Sequence, residues 1–329
     1  MLGIRELATS SRVRLVNGSV AVVAKRVWRA RYLYMLILPT FVLLVVFSYL
    51  PVLQGFRYSF YRWDGYRAHY IGLENYRNLL RDPALVISWK NVSYILLFQL
   101  ATQLTMPLLV AWLIYRLPHA HSRYWFRVLF TMPMVVPNVV VWLIWIFMYA
   151  EYGGINYLLS EIGLRKLVLG PTGTPRAWLG DPDTALLAVL FVGFPWVLSI
   201  NMLLYLAGLE GISTEILDAA VVDGASVWSR FWHIELPMLM GQVRLVTVLT
   251  TIRVLQGFQD IFVLTAGGPG YSTMVPGLRM AYAAFTFQQA SRIPRMGYGC
   301  AVAVVIFMAI VVVSIANMKL FRSPEQEVV

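Results

Sequence analysis

Several stretches of this chain run for about twenty residues with almost no charge, and that feature decides what the chain can fold into. At about 1.5 Å of rise per residue, such a run crosses the ~30 Å hydrocarbon core of a bilayer as one helix. The stretches lie near residues 32–54, 91–115, 126–149, 184–207, 243–265 and 297–319. They are continuously apolar rather than alternating apolar and polar, which argues against a membrane β-barrel. Composition agrees: only 13% of the residues are charged and 59% are hydrophobic. A soluble domain carries about 25% charged residues, so this long chain cannot cover a water-facing surface. The expected fold is all-α, a polytopic transmembrane helical bundle of about six spans. Pro39, Pro51, Pro107, Pro133, Pro137 and Pro195 fall inside these spans, where neighbouring groups can satisfy the carbonyls that proline frees.

The formal net charge is +11. In a soluble protein this would suggest nucleic acid as a partner; beside membrane helices, the charge instead marks the cytoplasmic side and the lipid surface. The tail before the first span carries Arg5, Arg12, Arg14, Lys25, Arg26, Arg29 and Arg31 against the single acid Glu6. The loop after span two carries Arg116, Arg123 and Arg127, and the C-terminal flank Lys319 and Arg322. With six spans these regions share one side, so both termini are expected in the cytoplasm of a multi-pass protein of a bacterial-type inner membrane. The first external loop also holds Arg57, Arg62, Arg67, Arg77, Arg81 and Lys90, but it is longer and three acids accompany them. The expected organisation is a basic cytoplasmic tail (1–31), a membrane domain (32–322) with a cytoplasmic loop (210–242), and a C-terminal tail (323–329). Segment 10–30 reads either as an interfacial amphipathic helix or as a loose tail. The long basic stretch leads into a full span without a small-residue cleavage site, as in an uncleaved anchor. Cys300 has no second cysteine to pair with, and the histidines, with His119 and His121 in an Arg-rich loop, suggest no metal site.

The loop between spans four and five has the most distinctive pattern. From Glu215 to Pro237 it reads EILDAAVVDGASVWSRFWHIELP. Ser213 or Thr214 can cap a helix there, with Glu215 and Asp218 in its first turns. Ala220 and Gly224 are four apart, which on a helix gives one face without bulk for another backbone to approach. Trp228, Phe231 and Trp232 supply apolar anchors, and Pro237 marks the entry to span five. Taken singly, these residues describe a cytoplasmic surface helix.

Taken together, they resemble the cytoplasmic signature of ABC importer permeases: Glu-Ala-Ala, three residues, Gly, nine residues, Ile-x-Leu-Pro. Asp218, Ala219 and Ala220 are followed at that spacing by Gly224, Ile234, Leu236 and Pro237. Asp218 stands where the family usually has Glu, keeping the charge with a reach one methylene shorter. Asp223-Gly224-Ala225, Arg230-Phe231-Trp232, Gly153-Gly-Ile-Asn156 and Leu264 to Thr273 are similar to the carbohydrate branch, which includes maltose-type and glycerol-phosphate-type permeases. The resemblance implies a type I importer permease fold. It also implies that Asp218, Ala219, Ala220, Asp223, Gly224, Ile234, Leu236 and Pro237 form a coupling loop docking on an ATPase. The implied partners are a second permease subunit, an ATPase subunit dimer holding ATP and magnesium, an extracytoplasmic solute-binding protein, and a carbohydrate: a sugar, an oligosaccharide or a polyol phosphate.

The residues themselves supply no engine. None of Lys25, Lys90, Lys166 and Lys319 belongs to a phosphate-binding loop, and Gly267-Gly268 leads into Pro269 as a turn. No nucleophile, base and orienter stand together, so the chain is not expected to be an enzyme and no cofactor is expected on it. The solute path is expected at polar residues within spans. Arg253, Gln256 and Asp260 share a helix face by spacing, with Arg253 roughly 15 Å from the start of its span at about 1.5 Å per residue. At that depth a charge faces a watery cavity or a protein interior. Asn138 and Trp142 could hydrogen-bond and stack on a sugar ring, while Trp145 and Tyr149 also read as packing and interfacial anchors. Gln99 and Gln103 either line the path or bond to neighbouring helices. A stand-alone secondary transporter or channel would use Arg253 and Asp260 but leaves the 218–237 spacing unexplained. A membrane scaffold without transport is the third reading.

Overall fold

A computed structural model describes Trp28 and residues 31–170, 173–285 and 293–320. The expected amphipathic segment 10–30 lies almost wholly outside the described residues, and the tail 323–329 wholly so. The chain divides by its contacts into residues 1–57 and 58–329. In the first unit, α1 (Arg31–Leu44) continues through a π-helical turn (Val45–Tyr49) into α2 (Leu50–Tyr58), one apolar helical run with no buried residue. Such a helix, apolar all round, suits lipid rather than water.

The second unit opens with a hairpin, Tyr61–Trp63 against Ala68–Tyr70, antiparallel with Tyr61 opposite Tyr70. Its turn is held by Asp64, whose carboxylate accepts from the Tyr66 and Arg67 amides at 2.8 and 2.6 Å; these bonds lower the Asp64 pKa. A short α3 (Glu74–Leu80) leads to α4 (Pro83–Tyr115), which begins eight residues before the apolar stretch. Asp82 caps it, accepting from the Ala84 and Leu85 amides, with Pro83 placed where its missing N–H costs nothing.

The apolar stretches expected as spans three, four and five are interrupted. The third is α5 (Ala120–Thr131) and α6 (Asn138–Met148), bent by 88° across Met132–Pro137. After the loop helices α7 (Gly154–Glu161) and α8 (Arg165–Val168), the fourth is α9 (Ala185–Phe191) and α10 (Ser199–Glu210), separated by seven non-helical residues around Pro195. The loop expected in the cytoplasm forms α11 (Thr214–Val222), α12 (Val227–Arg230), a π-helical turn (Phe231–Glu235) and α13 (Leu236–Met238). The fifth is α14 (Met240–Gln256) and α15 (Gln259–Leu264), parted by Gly257 and Phe258. A short α16 (Pro276–Phe285), unforeseen in the sequence, precedes the last span, α17 (Met296–Leu320). Counting single and bent helices, the described residues hold three to six spans.

Helix α4 organises the core along its length. Its first turns, with Leu85, pack on α3, α16 and α17 through Leu79, Ala283, Tyr298 and Val302. Val92 meets Val189, Leu255, Ile261 and Tyr282 near the breaks. Leu108, Ala111 and Ile114 meet Met202, Tyr205, Leu206 and Leu209 of α10, and Leu239 at the loop's root. At its N-terminal end, Asp82 also accepts from Tyr298 at 2.6 Å and from Arg279 at 2.8 Å. Burial alone would raise the Asp82 pKa; the tyrosine hydroxyl and the arginine charge outweigh it and hold the carboxyl below its ordinary range.

Candidate functional site

The loop expected to couple is built from two capped helices and a buried root. Ser213 caps α11 by accepting from the Glu215 amide at 3.2 Å. Asp218 and Ala219 are exposed on it and Ala220 is buried. The helix ends at Val222, because Gly224 has φ +80° and the Ala225 amide bonds back to Ala220 O at 2.9 Å. This corrects the expectation that Ala220 and Gly224 form one bulk-free helix face. Gly224 lies past the helix end, and a Cβ there would meet nothing within 4 Å. Its glycine serves the left-handed turn, not a close approach. The outward face carries Glu215, Asp218, Ala219, Val221, Val222 and Asp223 instead.

Ser226 then caps α12, and the chain returns through an aromatic group in which Trp228 and Phe231 stack at 5.8 Å and Phe231 meets Trp112 edge-on at 5.2 Å. Ile234 and Leu236 are half-buried, Leu236 against the core around Met202 and Leu239. Pro237 lies in α13, just before a 64° bend into α14. Between Ile234 and Leu236 sits a residue the sequence reading passed over. Glu235 is 1% exposed, pairs with Arg116 and accepts from the Trp112 indole N–H at 2.8 Å. The signal for it was a carboxylate in a largely apolar run, with unmatched arginines in the loop between spans two and three. A second such arginine, Arg127 on α5, pairs with Glu210 at the end of α10.

At the other end of α14, a cavity of about 370 Å³ forms where the three interrupted spans meet. Its wall includes Gln99 of α4, Asn138 and Trp142 of α6, Val192 and Gly193 between α9 and α10, and Arg253, Gly257, Gln259 and Asp260 around the α14–α15 break. Irregular backbone at membrane depth is tolerated where it lines a cavity or is buried in protein. Arg253 bonds to Gln99 at 3.4 Å, and Asp260 lies in the first turn of α15 without a direct ion pair to Arg253. Loose polar groups of both signs beside a Trp face can exchange water for solute hydroxyls.

Of the residues expected on the path, Asn138, Trp142, Arg253 and Asp260 line this cavity. Gln256 does not: it is exposed at the last turn of α14. The spacing that joined Arg253, Gln256 and Asp260 presumed one continuous helix, and the break after Gln256 removes that relation. Asp260 reaches the cavity from α15. Gln259 and Gln99 complete the polar wall; Gln99 was one of two alternatives in the sequence, and Gln103 instead bonds to Trp196 O and Asn201, each at 3.0 Å. Trp145 and Tyr149 face a separate pocket.

The two flanking motifs prove to be self-bonded loops. Asn156 donates to Glu151 O and Arg176 O and accepts from the Trp178 indole at 2.7 Å. Thr265 and Thr273 share a 2.6 Å hydrogen bond, and Asn91 of α4 donates to Tyr271 O and Met274 O.

Residues 103–322 match the family described as binding-protein-dependent transport system inner membrane component. The probable ABC transporter permease protein YurN of Bacillus subtilis is 30% identical over 300 residues, 89% of this chain and 97% of that protein. The multiple sugar-binding transport system permease protein MsmF of Streptococcus mutans is 32% identical over 288 residues, 86% of this chain and 93% of that protein. Among solved structures, a chain of a bacterial ABC transporter involved in the import of the acidic polysaccharide alginate superposes with a TM-score of 0.76. It is 21% identical and the match covers 91% of this chain and 98% of that one, a likeness of fold.

Proposed function

This chain belongs to the family of binding-protein-dependent transport system inner membrane components, and from that premise we propose how it works as the permease subunit of an ATP-driven carbohydrate importer. Its partners in this reading are a second permease subunit, an ATPase dimer that binds ATP and magnesium, and an extracytoplasmic solute-binding protein. Both termini and the 210–242 loop face the cytoplasm, in keeping with the arginines at the end of α4 and on α5. A carbohydrate cargo is supported by relatives whose names include multiple sugar-binding and lactose transport.

The observation that carries the reading is the polar cavity at the three interrupted spans, joined by α14 to the root of the exposed loop. ATPase closure presses on α11, where Asp218 offers a carboxylate to a basic side chain of the ATPase. The buried Glu235–Arg116 pair prevents the loop from yielding independently of α4. Displacement then passes along α14 to Arg253, and the breaks at Gly257 and Gly193 allow the cavity wall to change shape. Arg253, Asp260, Asn138 and the amides hold the hydroxyls of a sugar while Trp142 covers an apolar ring face.

The test is uptake into proteoliposomes holding the two permeases, with and without the ATPase and the solute-binding protein. Carbohydrate accumulation that requires ATP and both soluble partners supports the reading. Accumulation driven by an ion gradient without the ATPase would overturn it.

A further inference from the structure

The arginines that follow the first span run against the charge pattern expected of an external loop, and the proposed transport cycle uses none of them. One of them, Arg81 at the C-terminal end of α3, shares a polar basin of about 310 Å³ with Arg279 of α16 and with Arg295, just before α17. Asn78, Asp82 and Tyr298 complete the wall, at the N-terminal end of α4. We infer that this basin binds a phosphate group, carried by a free phosphate ester or by the headgroup of an anionic lipid.

The charges already matched select the ligand. Asp82 is the one carboxylate in the wall among the described residues. One of its oxygens accepts from the Ala84 and Leu85 amides at 3.0 and 3.4 Å. The other accepts from the Tyr298 hydroxyl at 2.6 Å and from Arg279 Nε and Nη2, each at 2.8 Å. A carboxylate offers about four acceptor sites, so Asp82 is saturated and neutralises Arg279 alone. Arg81 and Arg295 pair with no carboxylate among the described residues. An adjoining basin of about 440 Å³ shares Asn78, Arg295 and Tyr298 and brings in Asp64 and Glu74, but it also brings in Arg67 and Arg62. Glu74 pairs with Arg62 at 3.3 Å, and Asp64 accepts from its own hairpin's amides. Two guanidinium charges on one space therefore stay unmatched. A phosphate ester carries about −1.5 to −2 at pH 7, which balances them.

The donors are held in place before any ligand arrives. The Arg295 amide bonds to Ala283 O at 2.9 Å, and its guanidinium lies 4.6 Å from the centroid of the Tyr298 ring. Stacking on the ring face leaves the N–H edge of the guanidinium free to donate. Arg279 keeps N–H groups beyond the two it gives to Asp82, and Asn78 adds an amide donor. Donors brought by α3, α16 and the start of α17 converge from three segments, which suits a tetrahedral phosphate better than a planar carboxylate. An occupant would tie those three segments together at the head of α4.

The test is phenylglyoxal modification of the intact transporter complex at constant ionic strength, with the modified arginines mapped by peptide mass spectrometry. In dodecyl maltoside without phospholipid, added inorganic phosphate or glycerol phosphate should protect Arg81 and Arg295 saturably. Arg77, exposed on α3 and outside both basins, should react as before. Arg295→Gln should raise the concentration that half-protects Arg81 roughly tenfold, and Arg295→Lys, which keeps the charge and loses the fork, should raise it less. Arg81→Gln, at an exposed position, gives the reciprocal readout at Arg295. Protection in nanodiscs of phosphatidylcholine with phosphatidate, absent from nanodiscs of phosphatidylcholine alone, would assign the site to a lipid headgroup. Protection by glycerol phosphate but not by phosphatidate would assign it to a free ester. Protection that does not saturate, that extends equally to Arg77, or that neither glutamine variant weakens in a complex of unchanged melting point would overturn the inference and leave Arg81 and Arg295 as solvated charges.

Discussion

Two arginine–carboxylate couples are joined by one helix, yet they are built in opposite ways. At the root of the 210–242 loop, Glu235 is buried, and Arg116 and the Trp112 indole both bond to its carboxylate. At the far end of α14, Arg253 and Asp260 face one cavity without pairing, and Arg253 has only a long bond to Gln99. A buried charge without its partner costs several kcal/mol, so the first couple can do one thing well, which is to stay closed. The second couple keeps hydrogen-bonding capacity unspent, which is what a transient solute requires. On the proposed function, the difference separates a joint that transmits force from a surface that binds.

The strongest way to break this comparison is at Glu235. Glu235→Ala removes the buried acceptor of Arg116, whose side chain is 24% exposed, and of the Trp112 N–H, and should cost about 3 kcal/mol, the low end for breaking a buried pair. The expected result is the largest fall in thermal midpoint of any variant considered, with loss of ATPase co-purification. Glu235→Gln keeps an acceptor for Trp112 and should fall in between. A stable, coupled Glu235→Ala protein would refute the closed-joint reading.

Arg253→Met tests the other couple. It removes hydrogen bonds from the charged guanidinium to hydroxyls of the solute, each worth about 1.5–3 kcal/mol, so uptake should fall roughly ten- to a hundredfold. The thermal midpoint should hardly move, because no direct ion pair is broken. Gln256→Ala, on the same helix but outside the cavity wall, should leave uptake near the original rate. If Arg253→Met destabilises the protein as much as Glu235→Ala, the two couples are not different in kind.

The sequence made the closed couple hard to see and the open one easy. Charged residues deep in an apolar run stand out, so Arg253 and Asp260 were visible at once. Their relation was not, because an isolated glycine in a helical pattern is usually tolerated, so Gly257 alone does not announce the break. The interruption between α9 and α10 is written in residues as apolar as the helices beside it. The family was legible from the spacing of the loop's residues, but the conformation at Gly224 was not. Its positive φ belongs to a helix end that the spacing alone does not locate. Glu235 lay inside the motif as an unspecified position, and its partners are about 120 residues away on α4.

Gly224→Ala is a smaller test of the loop. The space is open, so the cost is purely conformational, about 1–2 kcal/mol for a left-handed residue gaining a Cβ. It should weaken ATPase stimulation by solute while leaving the bundle's melting almost unchanged. The same substitution would be disabling if close approach of a partner's backbone were the reason for the glycine, so the size of the effect distinguishes the two roles.

The smallest expected effect is at Asp82, a carboxylate that combines features of both couples. It caps α4 and also accepts from Tyr298 and Arg279, yet lies outside the spans. Its folded pKa is depressed below the ordinary carboxylate value, so its contribution to stability is fully present above that ordinary value and is lost as pH falls through the folded one. Between neutral pH and about pH 5 the melting temperature should therefore be insensitive to this group; below about pH 4 the original protein should lose stability faster than Asp82→Asn. At neutral pH, Asp82→Asn keeps the cap through its carbonyl oxygen but loses the charge and the bond from Arg279, whereas Asp82→Ala loses the cap as well and should cost about 1 kcal/mol more. A pH profile identical in the original protein and Asp82→Asn would mean that the Tyr298 and Arg279 contacts do not favour the ionised carboxylate. Asp82 would then be a cap alone, and the closed joint at Glu235 would have no counterpart at the N-terminal end of α4.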